Sequence, residues 1–160
     1  MPSSQQTLML MQAPAAASIK KQGKFDYISH QAVRLNLIRT FGYGGFDFEL
    51  LDVDMLTEEQ KPAKGGGTNW HVIYRVHGRL TVRFDDGRVA HYTEVSVDKS
   101  QHPELEQAHD NAVKGAASMC LRRCSINLGS LFGLGLYFNS HGDVVSWTLE
   151  SRIAAEEEAE

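Results

Sequence analysis

The sequence contains few of the features that mark membrane proteins, disulfide-stabilised proteins or zinc proteins. None of its apolar runs approaches the roughly 20 residues that a membrane helix needs. Its two cysteines, Cys120 and Cys124, would lie on one face of a helix. No second pair of Cys or His follows at the spacing of a zinc site. We therefore expect buried, reduced thiols in a reducing cytoplasm, with no bound metal and no cofactor.

The first residues lack the basic start of a signal peptide, although residues 7–19 are mildly apolar. This stretch is rich in Ala, Met and Gln, and lysines follow it at positions 20, 21 and 24. We interpret residues 1–24 as a flexible N-terminal arm. Residues 25–149 are long enough for one domain with its own core, and residues 150–160 form an acidic C-terminal tail.

The chain has no excess of positive charge, which argues mildly against binding to nucleic acid. It carries 16 Lys and Arg against 20 Asp and Glu, a net charge of −4. Residues 150–160 hold five of the glutamates and one of the arginines, so residues 1–149 have fifteen cationic and fifteen anionic side chains. A neutral body can still bind phosphates if its cations gather on one face.

The hydrophobic pattern predicts an α+β unit in which a helix covers one face of an antiparallel sheet. Ser29 is a suitable cap for the first helix, and Gly42 would end it. Residues 57–68, with Pro62 and three glycines, are interpreted as a loop. Residues 144–149 fit either a strand or a helix. The predicted elements are a helix at 29–41, strands at 46–55, 70–84 and 89–97, and a long, alanine-rich helix from about 105 to 127.

The second strand has one apolar face and one largely basic face, because its residues alternate with a period of two. Arg75, Arg79 and Arg83 lie on the basic face. A hairpin with Asp86-Gly87 at its tip would place Arg79 opposite Glu94 and Arg75 opposite Asp98. This placement favours internal ion pairs over a cationic track for these two arginines. Arg83, opposite Ala90, would be the freest of the three.

Two segments of the chain resemble the Rad52 family of single-strand annealing proteins. The first is Tyr27-Ile28, a helix containing Val33, and then Phe41-Gly42-Tyr43-Gly44-Gly45-Phe46, with the family's spacing. The second is the helix from Leu105 to Arg122, followed by Leu128-Gly129. The run Phe132–Tyr137 resembles the end of this region in phage relatives. The resemblance covers about residues 20–138.

The resemblance implies the β-β-β-α core that the pattern predicts, assembled into oligomeric rings of roughly ten or eleven subunits. It also implies annealing of complementary single DNA strands without ATP, in a phage or prophage version of the protein. Arg122 matches the last helix arginine of the family, and Arg123 is an additional cation. Ser118 and Met119 stand where the eukaryotic protein has a Lys-Arg pair. Either the basic surface is shifted by one turn, or the groove binds DNA more weakly.

Annealing requires no nucleophile; it requires cations that neutralise phosphates while the base edges stay free to pair. We therefore predict no catalytic residue. Tyr43 and Phe46 are expected to pack in the core, whereas Tyr27 can stack on a base. The predicted DNA-binding residues are Arg122, Arg123 and Lys114 on the long helix, Lys20 and Lys21 from the arm, Tyr27, and the strand residues Arg75, Arg79 and Arg83.

Other functions remain open at this point. The alternatives are DNA end protection or a recombination-mediator role without annealing, and a structural oligomer whose basic rows are ion pairs. A metal-dependent nuclease is disfavoured, because His91 is expected on the sheet face opposite His71 and His77. Expected partners are single-stranded DNA, further copies of the chain, and a single-strand-binding protein or a recombinase. No membrane partner is expected.

Overall fold

The computed structural model describes residues 4–137. Its main feature is a three-stranded antiparallel sheet whose strands lie side by side in sequence order. The longest helix packs on one face of this sheet. A small two-stranded sheet and two further helices complete this part of the chain. The elements are α1 (Ser4–Met11), β1 (Ile19–Gln22), β2 (Phe25–Ile28), α2 (His30–Phe41), β3 (Phe46–Pro62), β4 (Thr68–Arg83), β5 (Val89–His102), α3 (Leu105–Ile126), and 3₁₀ turns at Ala16–Ser18, Ser130–Phe132 and Leu134–Tyr137.

The predicted α+β class, with a helix, a three-stranded meander and a long helix on the sheet, is confirmed. The Ser29 hydroxyl accepts a hydrogen bond from the backbone N–H of Ala32 at 3.3 Å, as expected of a helix cap. Gly42, with φ of 76°, follows the last turn of α2. Its left-handed φ is one that residues with a side chain rarely adopt.

Strand β3 is longer than predicted, because residues 57–62 continue the pairing with β4 instead of forming a loop. Pro62 is the last paired residue, opposite Thr68, and it lies on an edge strand, where a missing N–H costs little. The register shifts twice along β3, between Leu50 and Asp52 and between Met55 and Thr57. These irregularities break the strict alternation that sequence patterns detect.

The pairing of β4 with β5 differs by one residue from the prediction. Arg79 lies opposite Thr93 and Arg75 opposite Val97. The turn is a three-residue loop, since the N–H of Phe84 bonds to the carbonyl of Arg88 and Gly87 has φ of 86°. A shift of one residue moves every side chain of β5 to the other face.

Small side chains let α3 approach the sheet closely. Ala108, Ala112 and Ala116 are fully buried against the apolar face of β4 and the side chains that pack around it. Gly78 is one point of close approach: a Cβ atom there would lie 2.8 Å from the Cys120 Sγ. Cys120 and Cys124 are buried free thiols, and a mutual hydrogen bond, followed by burial, raises the pKa of Cys124 above its ordinary value.

Residues 4–22, which lie in the expected flexible N-terminal arm, contain regular secondary structure. In α1, Gln6 is buried and donates a hydrogen bond to the Thr40 carbonyl at 3.1 Å, and Leu10 joins the core. Strand β1 pairs with β2 from Ile19, opposite Ile28, to Gln22, opposite Phe25. Neither element has a strong apolar period, which is why the pattern did not indicate them. The proposed domain boundaries remain predictions.

None of the helices in the described part of the chain is long and apolar enough to cross a membrane.

Candidate nucleic-acid interface

The C-terminal half of α3 borders an open groove of about 560 Å³, which we call the arginine groove. Strand β1, strand β5 and the last 3₁₀ turn supply its other walls. Its lining combines two cations and several polar groups with three apolar side chains. The lining residues are Gln22, Glu94, Met119, Arg122, Arg123, Ile126, Asn127 and Leu134.

Arg122 is held in this groove by an aromatic side chain. Its guanidinium carbon lies 4.5 Å from the centroid of the Tyr27 ring, within the range of a cation–π contact. Its Nε is buried and has no hydrogen-bond partner among residues 4–137. No carboxylate of that part of the chain forms an ion pair with Arg122. The arginine is therefore positioned by Tyr27, and no carboxylate in the described part of the chain pairs with it.

Arg123 lies beside it and is exposed. One of its terminal nitrogens donates a hydrogen bond of 3.0 Å to the carbonyl of Val95, on the edge strand β5. A carbonyl orients the side chain without cancelling its charge, and no described carboxylate pairs with it. Two adjacent arginines therefore lie at the groove without an ion-pair partner among residues 4–137.

The β1-β2 hairpin brings one of the two predicted lysines to the same place. Lys20 lies directly opposite Tyr27, and directly opposed residues project from the same face of an antiparallel pair. Gln22, two residues further along β1, lies on this face as well and lines the groove. Lys21 lies opposite Asp26 and projects from the other face of the hairpin. The hairpin thus brings Lys20, but not Lys21, to the Tyr27–Arg122 contact.

Lys114 lies elsewhere on α3. Its ammonium is 2.6 Å from the Asp110 carboxylate one turn earlier, on an exposed part of the helix. It is two turns from Arg122 and does not line the arginine groove.

The three strand arginines form a row on the face of the sheet that α3 does not cover. Arg79 pairs with Glu49, with nitrogen–oxygen distances of 2.9 and 3.1 Å. Arg75 pairs with Asp54 and Arg83 with Asp47, so each partner comes from β3. The favoured interpretation of Arg75 and Arg79 as ion-paired is confirmed, but the predicted partners on β5 are wrong.

Arg83 is not the freest of the three, contrary to the prediction. Besides its pair with Asp47, it donates a hydrogen bond to the carbonyl of Gly44 at 3.3 Å. Its neighbour on β5 is Val89 and not Ala90, because the three-residue turn changes the register. A role of this row in DNA binding remains a prediction.

The glycine-aromatic turn presents an aromatic side chain to solvent. Tyr43 is 89% exposed, so the expectation that it packs in the core is wrong, whereas Phe46 does pack against the core. Tight closure of this turn depends on Gly45, where an added Cβ would lie 1.8 Å from the Phe41 carbonyl oxygen. The turn can therefore fold without burying Tyr43.

Sequence reasoning also missed cations on α2. Arg34 and Arg39 are exposed, and neither forms an ion pair within residues 4–137. The sequence pattern could have indicated that these two arginines are exposed, since both positions fall outside the apolar stripe of this helix. A further exposed aromatic residue, Phe25, begins β2.

The histidines do not form a metal site in the described part of the chain. His91 lies opposite Thr81, and its Nδ1 is 2.9 Å from the threonine hydroxyl, so it shares the outer face with His71 and His77, contrary to the prediction. Even so, residues 4–137 contain no group of three or more His, Cys, Asp or Glu that could hold a metal ion.

His109 instead forms a hydrogen-bonded link between three elements. It lies 2.9 Å from the Tyr74 hydroxyl on β4 and 2.6 Å from the Glu58 carboxylate on β3. The link ties the far end of β3 to α3, and no sequence signal pointed to it.

The chain was compared with known proteins. The sequence model of the family described as "Rad52/22 family double-strand break repair protein" matches residues 4–152, which include every element of the described structure. No curated protein matches the chain.

Proposed function

We propose that this chain, which belongs to the Rad52/22 family of double-strand break repair proteins, binds single-stranded DNA and anneals complementary strands without ATP. The family implies DNA strand annealing in recombination and repair in general terms. The observation that carries the specific proposal is the contact of Arg122 with Tyr27 at a groove that Arg123 also lines, with Lys20 directly opposite Tyr27.

In this proposal the groove holds the DNA backbone. The guanidinium of Arg122 offers a planar set of donors that fits two phosphate oxygens at once, and the Tyr27 ring limits its movement. Arg123, which also lines the groove, and Lys20, opposite Tyr27, add further positive charge. Contacts to phosphates fix the strand without occupying base edges, so a second strand can pair with it.

Assembly would turn this short groove into a longer track. Helix α3 packs on β4 and β5 and hardly reaches β3. Three apolar residues of β3 on the α3 side therefore remain exposed: Leu50, Val53 and Met55. On the other edge strand, Val95 and Val97 are exposed on the opposite face.

These two apolar strips are different surfaces, so a contact between them would be head-to-tail. Repeated head-to-tail contacts close into rings or continue as filaments. We therefore propose a homo-oligomer in which successive arginine grooves are joined, with roughly ten or eleven subunits expected from the family resemblance.

The test is the annealing of two complementary fluorescent oligonucleotides without ATP, with a binding titration at low and high salt. We expect faster annealing, together with binding that weakens as salt rises, since neutralising phosphates releases counterions. Non-complementary oligonucleotides of the same length are the control. Binding without faster annealing would instead indicate end protection or a mediator role. Absence of binding at low salt would refute the proposal.

A further inference from the structure

We propose that residues 150–160 dock in the arginine groove and compete there with single-stranded DNA. This inference rests on the proposed function, because it assigns a regulator to the same groove. The segment contains five glutamates and one arginine, so its net charge is −4. This negative charge is complementary to the two groove arginines, which no carboxylate of residues 4–137 pairs with.

The path of the chain places this segment within reach. The last described element, Leu134–Tyr137, contributes Leu134 to the wall of the groove. The last described residues of the chain therefore lie next to the groove. Twelve residues separate Tyr137 from Glu150, and the connection between these two residues spans at most about 45 Å when fully extended. A tether that starts at the groove allows the glutamates to return to it.

The chemistry of the groove suits carboxylates as well as phosphates. Arginine binds both kinds of oxyanion through the same paired donors. Arg122 and Arg123 have no carboxylate partner within residues 4–137, and Glu94, which lines the groove, forms no ion pair with either. Two guanidinium groups are thus available to a carboxylate from outside the described residues.

The expected strength of this competition follows from the tether. A short flexible linker gives an effective concentration on the order of 1 mM. If the segment binds the groove with a dissociation constant of about 0.1–1 mM, it weakens DNA binding by about two- to tenfold. Because the competing contacts are ionic, the effect should shrink as salt rises.

The first experiment compares the full natural chain with a full-length variant that carries Glu156→Gln, Glu157→Gln, Glu158→Gln and Glu160→Gln. Binding of a labelled single-stranded oligonucleotide is measured by fluorescence polarisation. We expect the variant to bind about two- to tenfold more tightly at low salt, and to match the natural chain at high salt. Glu104→Gln with Glu106→Gln, two exposed positions at the far end of α3, removes half as much negative charge away from the groove and should change little.

The second experiment does not depend on DNA. A labelled peptide of residues 150–160 is titrated with the four-glutamine variant, whose own segment no longer competes. We expect salt-sensitive binding that Arg122→Ala weakens and that single-stranded DNA displaces. Peptide binding that Arg122→Ala leaves unchanged would overturn the assignment to this groove.

These measurements separate the failure of the inference from the failure of the proposed function. If both proteins bind DNA equally at low salt, the inference is overturned and the proposed function stands. If neither binds DNA, the proposed function fails, and the peptide titration alone decides whether the segment docks. A gain in DNA binding that depends on protein concentration would assign the segment to a second copy and overturn docking within one chain.

Discussion

The arginines on the two sides of the sheet should differ in how they affect the salt dependence of DNA binding. Arg122 lies in the arginine groove without a described carboxylate partner, whereas Arg79 on the outer face is paired with Glu49. We predict that Arg122→Ala weakens single-strand binding and lowers its dependence on salt. Arg79→Ala removes a similar charge and serves as the matched control, with little change expected in either property.

The magnitude follows from the loss of one phosphate contact per binding site. Each phosphate neutralised on a single strand contributes about 0.7 to the slope of log affinity against log salt concentration. A hydrogen bond to a charged group is worth about 1.5–3 kcal/mol, so the affinity should fall by about tenfold or more at low salt. The cation–π contact with Tyr27 adds about 0.5–1 kcal/mol to the stability of the fold, which thermal denaturation measures separately.

The assay is fluorescence polarisation of a labelled oligonucleotide at several salt concentrations. Arg122→Lys should keep most of the slope, because it retains the charge but loses the paired donors. The reasoning is refuted if Arg122→Ala leaves the slope unchanged while Arg79→Ala lowers it. That result would assign the DNA to the outer face of the sheet and leave the groove with a structural role.

Three further predictions concern packing and assembly. Gly78→Ala should lower the free energy of unfolding by about 1–3 kcal/mol, because its Cβ would lie 2.8 Å from the Cys120 Sγ; Gly65→Ala, in open space, should have little effect in the same denaturation experiment. Ser96→Ala should cost about 1 kcal/mol in chemical denaturation, since the buried hydroxyl donates a 2.5 Å hydrogen bond to the Ala116 carbonyl. Met55→Asp, at a position that is 51% exposed, should shift the protein to smaller species in size-exclusion chromatography with unchanged circular dichroism; an unchanged size would contradict assembly through β3.

The central architecture could be predicted because its signals are local and strong. The alternation along β4 defines one apolar face, and the small residues of α3 match it. The details of pairing depended on features that such patterns do not contain. A single extra residue in the turn before Val89 changes the register of all of β5, and the irregularities near Leu51 and Leu56 conceal the full length of β3.

The candidate site was only partly predictable, since its residues lie far apart in the sequence. The family resemblance pointed to Arg122, but only the pairing of β1 with β2 brings Lys20 beside Tyr27. The same pairing turns Lys21 to the other face, a distinction that adjacent lysines in a sequence do not reveal. The prediction that Tyr43 is buried was wrong, because a glycine turn can fold tightly and still leave its aromatic side chain exposed.

The net charge of the chain argues only weakly against DNA binding, because its positive and negative side chains are paired in some places and not in others. On the outer face of the sheet, the arginine row is matched by carboxylates of β3, so those charges cancel locally. Arg122 and Arg123 are not matched in this way within residues 4–137. An overall neutral body therefore keeps a concentrated positive potential at the arginine groove. The acidic residues 150–160 account for the net negative charge of the chain, and the proposed docking would set that charge against the arginines of the groove.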